Sequence, residues 1–248
     1  MSVSLPGEMF PGSATDLPRT DGVQHPATSL LYRGRPTAAR LVRRHFRVEE
    51  RGRERVPMDG PVIMVANHVG FIDGPLMAIL APRPVHSLTK VEMFSGPMGR
   101  FLRASGQIPV RRHEPDIRAV RVSLKVLRAG GVVGVFPEGS RGGGECKRAE
   151  PGAAYLAIAS GAPVVPVIYL GTRLPGSRLS SIPPRGSRVA MTYGEPLIFP
   201  AHGWPRRRGE VREITEQIRN ALLDTRRCAE DATGMSLPGP APDGEVEE

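Results

Sequence analysis

The sequence has little of several things. Its 248 residues include only two cysteines, Cys146 and Cys228, in no C-x-x-C pattern. That excludes a disulfide framework and a thiolate metal site, and fits free thiols in a reducing compartment. Aromatic residues make up 5% of the chain, too few for the stacking platforms on which single-stranded nucleic acid is read. No run approaches the ~18 apolar residues of a membrane-spanning helix. The opening "MSVSLPGEMF" lacks the basic-then-apolar layout of a secretory signal, so none is expected. The six histidines form no H-E-x-x-H pair, and no metal is expected. Neither G-x-x-x-x-G-K-[ST] nor G-x-G-x-x-G is present, which removes the usual nucleotide-binding loops. "EGSRG" (138–142) falls short of a serine-hydrolase elbow, because G-x-S-x-G needs glycine where Glu138 stands.

What is there is an ordinary core and an unusual charge. Hydrophobic residues make up 40% and charged residues 24%, as in a soluble globular domain of this length. The net charge is +9, and nine arginines fall between Arg33 and Arg55. Such a balance points to an anionic partner: nucleic acid, an anionic membrane surface or a phosphorylated substrate. A solvated arginine face is the plainer alternative. Zinc-finger spacing and basic-zipper heptads are missing, which argues against nucleic acid.

Elements follow from periodicity and punctuation. Residues 1–30 are rich in Pro, Gly, Ser and Thr and read as a flexible tail. Residues 36–48 can form a short basic helix with Leu41, Val42 and Phe46 as its apolar members. Further helices are expected over 75–80, 96–105, 115–130, 152–161 and 210–226, the third opened by Pro115 and stopped by Gly130. Short apolar runs at 61–66, 132–136 and 164–170 read as buried strands, and 187–194 as an alternating one. Residues 228–248 read as a flexible, acidic tail. Strands alternating with helices predict an α/β fold: one domain with a central mixed, partly parallel sheet flanked by helices.

Candidate chemistry sits just past two of the strands. "NHVGFID" (67–73) follows the first. Asp73 can cap the next helix, with Pro75 in its first turn, leaving His68 an ordinary loop residue. A metal pair is disfavoured, since residues five apart on a helix diverge. A third reading folds the chain so that Asp73 orients the His68 imidazole. "FPEGSRGGG" (136–144) ends the strand at 132–136 in a Gly-rich turn carrying Glu138, Ser140 and Arg141. "GQIPVRR" (106–112) places Arg111 and Arg112 after a short apolar run. Guanidinium forks match phosphate oxygens, although either stretch alone reads as a surface turn.

The four stretches "NHVGFID", "GQIPVRR", "FPEGSR" and "APVVPV" stand in an order and spacing that resembles the glycerolipid acyltransferase family. The bacterial 1-acylglycerol-3-phosphate acyltransferases are the branch they are most similar to. The resemblance covers about residues 31–200 and makes 31–227 the acyltransferase domain. It implies that His68 is a general base oriented by Asp73. It implies that Arg112, Glu138, Gly139, Ser140 and Arg141 hold a phosphorylated glycerol acceptor, and that Pro166 lies in a block shaping the acyl side. Lys90 resembles a basic residue common between the first two blocks; it, or backbone N–H groups near the dyad, would stabilise the oxyanion. The implied reaction moves an acyl group from acyl-CoA or acyl-carrier protein to a lysophospholipid acceptor, giving phosphatidic acid with no cofactor. Glycerol 3-phosphate or another lipid alcohol is the alternative acceptor. A silent basic module binding membrane or nucleic acid is the alternative of another class, and the dyad argues against it.

Three departures stand out: Gly70 where Ser is common, Arg111 where Asp is, and Glu150 where Lys is. Lys147 and Arg148 are candidates to compensate for the last. The expected location is cytoplasmic, peripheral on the inner face of the cell membrane, with the 36–48 helix as one candidate contact.

Overall fold

A computed structural model describes residues 17–112 and 114–242. Residues 1–16 of the expected N-terminal tail and 243–248 of the C-terminal one lie outside the described residues. The elements are α1 (Ser29–His45), β1 (Arg47–Arg51), β2 (Val62–Ala66), α2 (Asp73–Leu80), β3 (Val85–Lys90), α3 (Gly96–Ala104), β4 (Ile108–Val110), α4 (Ile117–Arg128), β5 (Val132–Val135), α5 (Gly152–Ser160), β6 (Val164–Leu170), β7 (Arg188–Tyr193) and α6 (Arg208–Thr233). Single 3-10 turns occupy Arg53–Arg55 and Val91–Phe94.

The strands form one seven-stranded sheet in the order β1-β7-β6-β2-β5-β3-β4. All neighbours are parallel except β6 and β7, so the expected mixed, partly parallel α/β sheet is what forms. The central strands explain why. β2 is "VIMVA", buried at all five positions, and a parallel strand covered on both faces must be apolar throughout. Its side chains alternate between two layers. Ile63 and Val65 pack with Leu124, Leu156 and Ile218 of α4, α5 and α6. Val62, Met64 and Ala66 pack with Leu76, Met77 and Leu80 of α2. Each large side chain so buried contributes roughly 1.5–3 kcal/mol of transfer free energy. α5 is apolar around most of its circumference, and seven of its nine residues are buried. It is a core helix and not a surface one.

The structure departs from the sequence reading in four places. First, α1 begins at Ser29, seven residues before the expected start, and carries Pro36 inside it. The helix stops at His45 because Phe46 turns to extended backbone and plugs the core at 7% exposure. Val42 also packs against that core, while Leu41 is 63% exposed. The three apolar residues thus do not share a free face, and the 36–48 helix cannot present them to a membrane together. Second, β1, β3 and β4 escaped notice, being charged ("RVEER"), polar ("VHSLTK") or very short ("IPV"). Third, residues 17–28 are docked: Arg121 donates to the carbonyl of Arg19 at 2.6 Å, and Arg128 to the Thr20 hydroxyl at 3.0 Å.

Fourth, α6 runs to Thr233, past the 227 boundary. Thr225, Ala229 and Thr233 extend its buried stripe, a thin stripe masked in sequence by "RRCAED". Leu237 then packs back on the core. Among the described residues no helix is long and apolar enough to cross a membrane.

Candidate active site

In parallel α/β sheets the loops leaving the carboxyl ends of the strands are where ligands bind. Here β2, β5, β3 and β4 are successive neighbours. Their carboxyl ends deliver, in that order, His68, the Phe136–Arg141 turn, Lys90 and Arg112. The sites foreseen from sequence are therefore arrayed along one rim.

His68 and Asp73 meet. Asp73 is the first residue of α2, and its carboxylate turns back instead of capping the helix. Its Oδ2 accepts the N–H of Val69 at 2.7 Å and of Gly70 at 2.8 Å, and lies 2.8 Å from His68 Nδ1. An oxygen already serving as acceptor twice over is the acceptor for the ring as well, so Nδ1 carries the proton. Nε2 is left with the lone pair. Asp73 is fully buried while the His68 side chain keeps 19% exposure, so the imidazole is reachable from solvent and the carboxylate is not. The ring also stacks on Phe136, centroids 4.2 Å apart. Asn67 anchors the loop at its root: its side-chain amide exchanges two hydrogen bonds with the backbone of Tyr169 in β6.

The turn after β5 closes on this loop. Glu138 accepts the backbone N–H of His68 at 2.9 Å and that of Cys146 at 3.4 Å. Burial pushes its carboxyl above the usual range, against the opposing pull of those two N–H bonds. The Cys146 thiol is likewise held above its ordinary value, by burial first and then by the neighbouring Glu138 charge. Gly139 has φ +72°, a left-handed conformation in which a β-carbon is strained. Its carbonyl accepts Arg112 Nη1 at 3.1 Å, joining the turn to the segment after β4. Arg141 donates to the carbonyl of Leu179 at 3.2 Å and lies 6.0 Å from the Phe71 ring centroid. Ser140 is half-buried.

Other foreseen positions fare differently. Lys90 sits on the same rim, its Cα paired with Val110 two residues before Arg112. Pro166 is buried within β6, opposite Val65. Lys147 is 82% exposed and ion-paired with Glu145, so it does not stand in for a basic residue at position 150. Arg111 is exposed and paired with Glu114. Among the described residues no cluster of His, Cys, Asp or Glu could hold a metal.

One residue of the site was invisible in sequence. Arg173, 1% exposed, donates from Nε to Val69 O at 2.7 Å, from Nη1 to Ser177 O at 3.0 Å, and from Nη2 to Gly142 O at 3.2 Å and Gly239 O at 2.5 Å. It thereby ties the dyad loop, the β5 turn, its own loop and the C-terminal segment together. Its only sequence signal is a position three residues past β6.

Known proteins share parts of this sequence and its fold. The family model described as Acyltransferase matches residues 47–170, a stretch that holds the dyad, Lys90, Arg112 and the β5 turn. The chain is 29% identical over 147 residues to the 1-acyl-sn-glycerol-3-phosphate acyltransferase of Bacillus subtilis, covering 58% of this chain and 71% of that one. It is 34% identical over 110 residues to the lyso-ornithine lipid O-acyltransferase of Pseudomonas aeruginosa, covering 43% of this chain and under half, 42%, of that protein. The crystal structure of the acyltransferase PlsC from Thermotoga maritima shares the fold, with a TM-score of 0.58 at 22% identity, covering 82% of this chain and 80% of that one. With half its length matched by the family model and the same architecture beneath, this chain belongs to the acyltransferase family.

Proposed function

We propose that the chain transfers an acyl group from a thioester, acyl-CoA or acyl-carrier protein, to the free hydroxyl of 1-acylglycerol 3-phosphate, giving phosphatidic acid. The observation that carries this reading is the 2.8 Å contact between His68 Nδ1 and buried Asp73, on a rim where Arg112 and Arg141 meet one turn. His68 Nε2 takes the proton from the acceptor hydroxyl as its oxygen attacks the thioester carbon. The tetrahedral intermediate collapses, the C–S bond breaks, and the imidazolium returns its proton to the leaving thiolate. Asp73 holds the ring in the tautomer that leaves Nε2 free and stabilises the transient cation. The substrate supplies the nucleophile, so no enzyme serine, metal or cofactor is needed. Arg112, Arg141 and the turn Glu138–Gly139–Ser140 hold the acceptor phosphate side. Lys90 or a loop N–H offers charge to the oxyanion.

The Bacillus subtilis relative, a 1-acyl-sn-glycerol-3-phosphate acyltransferase, supports an acylglycerol phosphate as acceptor. The name of the Pseudomonas aeruginosa relative makes a phosphate-free lyso-lipid the competitor to include. Both substrate and product are lipids, and the chain is proposed to work on the cytoplasmic surface of the cell membrane without spanning it.

Mass spectrometry of products tests the reading. The purified chain is given acyl-CoA and acyl-carrier-protein donors with 1-acylglycerol 3-phosphate, glycerol 3-phosphate and lyso-ornithine lipid. Phosphatidic acid should dominate. His68→Ala should lower its rate by roughly 10²–10⁴-fold, the usual worth of a general base. Wild-type turnover by folded His68→Ala protein would remove the dyad from the mechanism.

A further inference from the structure

With Phe46 and Val42 of the α1 segment packed on the core, that helix offers no apolar face to a membrane, yet a different face has the required composition. α3 is a short helix whose Gly99 and Leu102 face inward. Its outer face presents Met98 at 45% and Phe101 at 56% exposure, neighbours one turn apart. Val91, 38% exposed, follows Lys90 directly, at the carboxyl end of β3. Ile117, 67% exposed, opens the helix that follows Arg112. These apolar side chains lie on the segments that leave β3 and β4 at the rim where the proposed site opens.

The face is braced, not loose. A β-carbon on Gly99 would come within 2.2 Å of the Phe94 backbone, so the helix is packed tightly on the preceding 3-10 turn. Arg103 donates to the carbonyl of Phe94 at 2.7 Å and lies over its ring at 5.7 Å. Large apolar groups held out on a rigid platform cost free energy in water unless something covers them. Charge identifies the cover. Between Lys90 and Arg118, the span that holds all four apolar groups, there are six basic residues, Lys90, Arg100, Arg103, Arg111, Arg112 and Arg118, against three acids, Glu92, Glu114 and Asp116, of which Glu114 pairs with Arg111. Apolar groups fringed by cations match an anionic bilayer surface, where rings and thioethers enter the acyl boundary and guanidinium groups meet headgroups. A protein partner would need more area than these four side chains supply.

We propose that the α3 face, led by Met98 and Phe101, is where this protein docks on an anionic membrane, bringing the mouth of its site to the lipid substrate. The proposal rests on the lipid acyltransferase reading, but its test does not use catalysis to score binding. The full chain is co-sedimented, without substrate, with vesicles of phosphatidylcholine alone or mixed with phosphatidylglycerol. Wild type should bind the anionic vesicles and release in high salt. The double variant Met98→Ser, Phe101→Ser should lose about tenfold or more in partitioning, while Leu41→Ser on α1 should bind as wild type. Turnover of a short-chain, water-soluble acceptor, with circular dichroism, reports separately on the site and the fold; both should be unchanged in all variants. Wild-type binding by the double variant, or equal loss in Leu41→Ser, would overturn the assignment. So would a change of oligomeric state in the double variant, which would assign the face to a second copy of the chain. Failure of the short-chain assay in wild type would strike at the acyltransferase reading and leave the docking result standing.

Discussion

At the scale of single residues the site is held by two kinds of contact, local and distant. His68 and Asp73 are five positions apart, and their pairing needs only a turn. The spacing in "NHVGFID" left that pairing as one of three readings, and the family resemblance singled it out. Arg173 is the opposite case: its acceptors lie at positions 69, 142, 177 and 239, and no pattern in sequence connects them. The Val69 carbonyl it holds belongs to the loop whose Val69 and Gly70 N–H groups bind Asp73. Arg173 is thus a positioning residue for the dyad. Arg173→Lys keeps the charge but not the fork that reaches several carbonyls at once. Lost registry of a catalytic group by ~1 Å costs about 10²-fold in rate. The expected outcome is a fall in kcat of that order with KM for the acceptor within a few-fold of wild type, measured on protein shown to be folded. A rise in KM at constant kcat would place Arg173 on the substrate side instead.

At the scale of elements, what could be read depended on burial. β2, β5 and β6 are apolar because both faces are covered, and β-branched runs announce them. β1 and β4 are edge strands; an edge tolerates charge and proline, as in "RVEER" and at exposed Pro109. The same features hid them. Blocks tied to chemistry also turn out to be packing devices. In "GQIPVRR" the Gln107 side chain accepts the Ser87 N–H at 2.9 Å and donates to Ser105 O at 2.8 Å, setting β4 beside β3.

Gly70 is a packing device too, and explains the departure from serine. A β-carbon there would lie 2.7 Å from the backbone oxygen of Thr172 and 3.3 Å from Arg173 Cβ. The loop after β6 approaches this chain's dyad loop too closely for any side chain. Gly70→Ser, harmless by family resemblance, should therefore destabilise the fold by about 1–3 kcal/mol, the usual cost of overpacking. It should lower kcat as well, because the displaced N–H is one of those holding Asp73. Urea unfolding and steady-state kinetics check it; wild-type values in both would show that the two loops have room to part.

At the scale of the whole molecule, the net charge of +9 suggested an anionic partner, but much of the arginine is structural. Arg83 donates to the carbonyls of Pro57, Gly60 and Gly130, and Arg35 to those of Ile79 and Ala81. Stability against pH is set instead by buried titratable groups, of which two act in opposite senses. Glu138 has its pKa raised, chiefly by burial. The folded state then holds a proton the unfolded state has released, and stability falls as pH rises from the unfolded value of ~4.3 through the folded one.

His86 has its pKa lowered, first by burial and further by His25, against a hydrogen bond to Gly106 that raises it. Here the unfolded chain takes up the proton first. Stability is full above the unfolded value of ~6.5 and is lost as pH falls from there through the lower folded value. His86 is 2% exposed, its Nδ1 lies 2.6 Å from the Gly106 carbonyl, and His25 stands edge-on at 5.4 Å. Protonating it would set a charge inside the contact that fixes the start of β4. Asn at position 86 offers an amide N–H in place of Nδ1–H and cannot titrate. Denaturant unfolding of His86→Asn at two pH values, one just above and one well below 6.5, should show a smaller loss on acidification than wild type. The effect of Glu138 remains in both proteins and cancels in the comparison. An identical loss in the two would mean that acid acts elsewhere.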